Sequence, residues 1–135
     1  MWKVVLPIRI PVSKKSYFSL NLNIYRNSHY QTLNKAKIVF KELVKEQIDK
    51  LPIFRHIHLK YVIYLPNKRR CDISNIGSVV DKFFSDSLVE LGHLEDDNYH
   101  FLDSITYEYG GIDIEEPRVE VFIQEIENAD CSQQE

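Results

Sequence analysis

Between residues 76 and 91 the apolar side chains Ile76, Val79, Val80, Phe83, Phe84, Leu88 and Leu91 recur at the three-and-four spacing of a single helical stripe. A stripe of that width is stable only when buried against another layer. Ser74 or Asn75 suits the N-cap, and Gly92 supplies the residue at which such a helix stops. Just upstream, His56 to Leu65 alternates, with Ile57, Leu59, Tyr61 and Ile63 on one face, and so predicts a strand. A strand therefore fixes where the loop from Pro66 to Asp72 begins, and a helix fixes where it ends. Its side chains sit on a short, well-held connection.

The flanking segments complete an α/β pattern. Trp2 to Ile10 alternates around Pro7, which suggests an edge strand or a bulge. Tyr17 to Tyr25 alternates as well and predicts a second strand, the hairpin partner of the first. A polar turn follows, in which Ser28 or Thr32 can cap a helix with the stripe Leu33, Ala36, Phe40, Leu43, Val44, Ile48 and Leu51, ended by Pro52. Leu102 to Tyr109 predicts a strand broken by a hairpin turn at Gly110-Gly111. Arg118 to Ile126 predicts a last strand antiparallel to it. The sum is a single α/β domain over residues 1–126, a mixed sheet of about five strands with two principal helices on one face. The polar stretch 127–135 is expected to be a frayed tail.

At 135 residues the chain can bury a real core without staples. Its net charge of −3 excludes a broadly basic nucleic-acid coat, so any contact with DNA must come from local patches. Cys71 and Cys131 are too few for a disulfide framework and predict reduced thiols. No apolar run approaches the ~20 residues of a membrane span, and the first residues lack the zones of a signal peptide. These features predict a cytoplasmic protein without a membrane partner. Neither a Walker-type phosphate loop nor a Gly-x-Ser-x-Gly elbow is present, so no nucleotide cofactor and no serine esterase chemistry is expected.

The residues that carry chemistry surround the second helix. Asp72 follows Lys68, Arg69 and Arg70, and Asp96-Asp97 follow the helix before a strand. If neighbouring strands bring both ends to one edge, these carboxylates supply the oxygen ligands that a hard cation needs. The plain alternatives are an Asp72 paired with its arginines or capping the helix, and a solvent-facing acidic turn. Asp81 is a further candidate ligand, although its helical phase relative to Asp72 is poor. Lys82 projects from the polar face. Lys37, Lys41 and Lys45 form a basic ridge that either follows a DNA backbone or, beside Glu42 and Glu46, is an ordinary mixed-charge face. Lys14-Lys15 open a polar link near the N-terminus. His93 and His100 lack zinc-type spacing and read as turn residues.

Taken in order, the basic pair Arg69-Arg70, Asp72, Asn75, Lys82 with Asp86-Ser87-Leu88, and Asp96-Asp97 before a strand resemble the RusA-type Holliday-junction resolvases. The resemblance is at the level of motifs and spans most of the chain. It implies an endonuclease that cuts branched DNA as a homodimer, in a family commonly of phage or prophage origin. Asp72 and Asp97, helped by Asp96, would hold Mg²⁺, or Mn²⁺ in its place, for attack of an activated water on phosphate. Lys82 would stabilise charge on the scissile phosphate. Lys68, Arg69, Arg70, Lys14, Lys15, Lys37 and Lys41 would contact the DNA. Two departures stand out. Ser74 occupies the place of the second acid in the family's Asp-x-Asp-Asn, and the helix is longer by about four residues, roughly one turn. Anchoring on Asp86-Ser87-Leu88 puts Lys82 on the functional lysine, whereas anchoring on Asn75 puts Ser78 there. Two competing expectations remain: a DNA-structure-binding protein of the same fold that has lost a metal ligand, and an α/β interaction domain whose acids are surface residues.

Overall fold

The computed structural model describes residues 1–126, so the tail 127–135 and Cys131 lie outside the described residues. The elements in chain order are β1 (Trp2–Leu6), β2 (Arg9–Pro11), β3 (Tyr17–Ser19), α1 (Leu22–Asn27), α2 (Tyr30–Asp49), β4 (Ile57–Leu65), α3 (Ile73–Glu90), β5 (Leu102–Ile112) and β6 (Arg118–Glu125). They form a single α/β domain. A four-stranded mixed sheet runs in the order β1-β6-β4-β5, and β2 and β3 make a separate two-stranded sheet. No helix is long and apolar enough to cross a membrane among the described residues.

β4 is central. It pairs with β5 in parallel and with β6 antiparallel, and β6 in turn pairs antiparallel with β1. The alternation seen in the sequence is realised as a buried row, Ile57, Leu59, Tyr61, Ile63 and Leu65, continued across β6 by Val119, Val121 and Ile123 and across β1 by Val4 and Leu6. Against this row pack Ala36, Phe40, Val44 and Ile48 of α2 and Val79, Val80, Phe83, Phe84 and Leu88 of α3. Phe83 is a meeting point, its ring within 6.1 Å of Phe18, 6.4 Å of Tyr25 and 5.5 Å of Phe40. That geometry ties β3, α1 and α2 to α3 through offset and edge-on aromatic contacts. The alternate residues of β4, His58, Val62 and Tyr64, face the other side of the sheet and are only partly buried.

Several expectations are corrected. Tyr17 to Tyr25 is not one strand, because Leu22–Asn27 is a helix. The Asn21 side chain accepts from the Ile24 N–H at 2.9 Å, and a capping asparagine starts a helix where alternation alone suggested extension. The N-terminal run splits at Pro7. β1 joins the main sheet beside β6, and only β2 forms the hairpin with β3. Neither Ser28 nor Thr32 caps α2; His29 does, its Nδ1 accepting from Gln31. Leu43 is half exposed rather than in the buried stripe. α3 begins at Ile73 with Asp72 as its N-cap residue, ahead of Ser74 and Asn75, and the Asn75 N–H bonds the Asp72 carbonyl at 3.0 Å.

The end of α3 follows expectation. The His93 N–H reaches the Leu88 carbonyl and the Gly92 N–H the Val89 carbonyl, with Gly92 at φ 83° in the left-handed region. Gly110-Gly111 form no hairpin turn but lie inside β5. The pairing jumps from Ile63↔Tyr109 to Tyr64↔Gly111, leaving Gly110 as the extra residue of a bulge, with Gly111 at φ 123°. β6 therefore does not pair with β5. The link between them crosses the end of β4, where the Leu65 carbonyl accepts from the Asp113 N–H at 2.8 Å, and delivers β6 to the opposite side.

The closeness of α3 to β5 rests on Gly77. A Cβ built there would lie 2.5 Å from the Tyr107 ring, closer than side chains tolerate. Gly77→Ala should therefore destabilise the protein by about 1–3 kcal/mol through overpacking, outweighing the ~1 kcal/mol gain in helix propensity. Urea unfolding of the variant and parent checks this, and a stabilised variant would contradict the packing described.

Candidate active site

Asp72 stands where β4 hands the chain to α3. It has extended backbone angles, φ −75° and ψ 124°, and its side chain makes no capping bond to the helix it precedes. The carboxylate is exposed and shares one open hollow with Lys68, Arg69, Arg70 and Cys71, floored by Leu65, Ile73, Tyr109 and Ile112. Arg69 and Arg70 also line a second, larger hollow of about 1090 Å³, together with Arg9, Asn21, Asn23 and Asn75. The loop itself is held by an Asn67 side chain that accepts from the Arg69 N–H at 2.9 Å. Four charged side chains thus cluster at the carboxyl ends of β4 and β5, the edge where open α/β sheets bind ligands.

Asp97 lies near α3. Its charge acts on Asp81 and on Asp86, both on α3, and helps to raise each of their pKa values. Asp81 is about 13 Å further along the helix than Asp72, at about 1.5 Å per residue. The chain between α3 and β5 thus brings Asp97 near the flank of the helix. Asp96 is engaged locally, accepting from the Asp97 N–H and from the Asn98 side chain, both at 2.8 Å. Asp72, Asp81, Asp96 and Asp97 do not form, among the described residues, a group of three whose ligand atoms lie within 4.8 Å of one another. Asp72 and Asp97 are both exposed oxygen donors of the kind a hard cation takes.

Asp81 is a held carboxylate. Its Oδ1 accepts from the Tyr61 hydroxyl at 2.6 Å and from the Ser85 hydroxyl at 3.0 Å. Burial raises its pKa; the two hydroxyls and Lys82 oppose the rise, and Asp97 adds to it. Burial, and then the Asp81 charge, push Tyr61 well above its ordinary value and Tyr107 up to about 12. Burial likewise raises Asp86, with Lys37 opposing. Lys82 is exposed, its ammonium 6.0 Å from the centre of the Tyr25 ring.

The basic ridge of α2 is largely paired: Lys41 bonds Glu90 of α3 at 2.8 Å and Lys45 bonds Asp49 at 2.6 Å. Lys14 and Lys15 are exposed in the bend between β2 and β3. His93 is a turn residue whose Nδ1 lies 3.1 Å from the Pro52 carbonyl.

The sequence reading passed over one constellation. His56 and His58 each place Nε2 at 2.9 Å from the same oxygen of Asp103, and the three could hold a metal ion. Burial works to raise the Asp103 pKa, but hydrogen bonds and charge from the two imidazoles hold its carboxyl below the usual range. His-x-His at the start of a strand was the available signal, since residues two apart share a face. Asp103 left none, because it arrives through a register shift: Ile57 pairs with Leu102 and His58 with Ser104. Compared with known proteins, the chain matches no family model and no curated protein.

Asp81 gives a test of this electrostatic picture. Its raised pKa means that the folded state binds the proton more tightly than the unfolded chain. Stability from this group is therefore fully present below the ordinary carboxyl range and is lost as pH rises through the folded value. An asparagine in its place would keep an oxygen for both hydroxyls without the charge. Thermal unfolding should show Asp81→Asn gaining on the parent as pH rises from about 4 to 7; a difference independent of pH would contradict the raised pKa.

Proposed function

We propose that this protein is a Mg²⁺-dependent endonuclease acting on branched DNA, similar to the RusA-type resolvases, and that it works as a homodimer in the cytoplasm. The observation that carries the reading is the exposed Asp72, unused by its helix, in one hollow with Lys68, Arg69 and Arg70. Guanidinium groups suit bidentate contact with phosphate, and a nearby free carboxylate suits Mg²⁺. Mg²⁺ is commonly held by only one or two carboxylates, with water and substrate phosphate completing its shell. Asp72 would be one anchor and Asp97, whose charge reaches Asp81 and Asp86 of α3, a second. Bound there, the ion would supply charge stabilisation and an acidified water. The chain's own residues would position the backbone, with Arg9 and Asn21 in the adjoining hollow extending the contact. Paired cuts across a two-fold junction call for a two-fold dimer.

A second reading, binding to junctions without cutting, is favoured by one observation: among the described residues the candidate carboxylates do not gather within 4.8 Å as a group of three.

Incubation of a labelled four-way junction with protein and Mg²⁺ separates the two. We expect cleavage, and Asp72→Asn should reduce its rate by about 100-fold or more, beyond what even supporting residues of a metal site contribute. Junction binding should persist or improve as phosphate repulsion is relieved. A parent protein that binds but never cuts would establish the second reading, and an Asp72→Asn variant that cuts normally would misplace the site. Replacing both Arg69 and Arg70 by Ala should weaken binding and flatten its dependence on salt, because fewer counterions are released. An unchanged salt slope would remove the loop from the interface.

A further inference from the structure

We propose that His56, His58 and Asp103 form a binding site for a divalent first-row transition metal, zinc in particular, that clips the start of β4 to the start of β5. The ligand atoms lie within 4.8 Å of one another, and each histidine Nε2 is 2.9 Å from Asp103 Oδ1. Ligands that each stand about 2.0–2.2 Å from one zinc ion are separated by roughly 3 Å, so little movement is needed to admit the ion. The two imidazole planes are inclined at 83°, with centroids 5.9 Å apart, so the rings approach from different directions as two coordination vertices require.

The backbone holds this arrangement without help from a loop. His56, the residue before β4, and His58, its second residue, are two apart and share a face. Asp103 is the extra residue of the bulge that shifts the β4–β5 register, and a bulge re-aims the side chain it carries. His56 is 5% exposed and forms the floor of the site. The side chains of His58 and Asp103 are 37% and 43% exposed and leave the ion open to solvent on one side. Three protein ligands and an open fourth position make up a common zinc set. Imidazole donors favour zinc over Mg²⁺, which distinguishes this site from the oxygen donors Asp72 and Asp97. The clip would also fix the beginning of the strand into which the Asp96-Asp97 turn leads.

The test does not depend on DNA cleavage. Full-length protein freed of metal by chelation is titrated with Zn²⁺, with Mg²⁺ as the control, and its thermal unfolding is followed. We expect one equivalent of Zn²⁺ to bind, the melting temperature to rise, and excess Mg²⁺ not to compete. Asp103→Ala and His58→Ala should each lower the affinity at least tenfold. The buried His56 is left intact, and circular dichroism of the metal-free variants establishes that both fold. Co²⁺ should give d–d bands without a thiolate charge-transfer band, and Cys71→Ser should change nothing. Absence of saturable Zn²⁺ binding would overturn the proposal, leaving a hydrogen-bonded His-Asp-His trio. So would binding that survives in both folded ligand variants, or that is lost in Cys71→Ser.

Discussion

The burial of one side of β4 is the constraint on which the rest of this structure depends. Ile57, Leu59, Tyr61 and Ile63 are inaccessible to solvent because α2 and α3 cover the same face of the sheet. A row of that kind stabilises each strand paired to it, since β5 and β6 gain both hydrogen bonds and a share of the apolar layer. Tyr61 also sets the chemistry within the layer. Its hydroxyl points out of the core into α3 and finds Asp81, so the one ring belongs to the apolar core and to a charged hydrogen bond at the helix–sheet boundary. Removal of either partner would strand a buried polar group, the more costly fate for such a pair.

The topology built on β4 decides where chemistry can occur. Because α3 connects β4 to a parallel neighbour, the loop before α3 emerges at the carboxyl ends of the two strands, and the turn after it returns toward their amino ends. Asp72 belongs to the first edge. His56, His58 and Asp103 belong to the second. The chain thus separates an oxygen-donor, arginine-flanked hollow suited to Mg²⁺ and phosphate from a nitrogen-rich cluster suited to zinc. Different donor atoms at opposite ends of one strand pair would keep two such metals from competing for a single site.

Both long helices, the central strand and the α/β class were legible in the sequence, because periodicities of 3.6 and 2 survive in any element with one buried face. The errors share a cause. Leu22–Asn27 alternates over too few residues for period to separate strand from helix, and the deciding contact, Asn21 capping Ile24, is local and polar. Gly110 and Gly111 carry the composition of a turn, but the crossing of β4 by the next link keeps them within a strand. The site was legible in part. Asp72 and its basic loop stand together as the strand–loop–helix reading requires, whereas the place of Asp97 relative to Asp72 depends on the path of a connection that no pattern encodes. Asp103 was invisible for a similar reason, since only pairing register brings it to His56 and His58.

The central claim is that a metal works beside Asp72 when DNA is bound. The most direct measurement is an anomalous-scattering map from crystals of the protein with a four-way junction, soaked in Mn²⁺ as a stand-in for Mg²⁺. The account predicts a peak at the Asp72 carboxylate, next to a junction phosphate held by Arg69 or Arg70. A map with junction DNA bound and no peak at either Asp72 or Asp97 would contradict it.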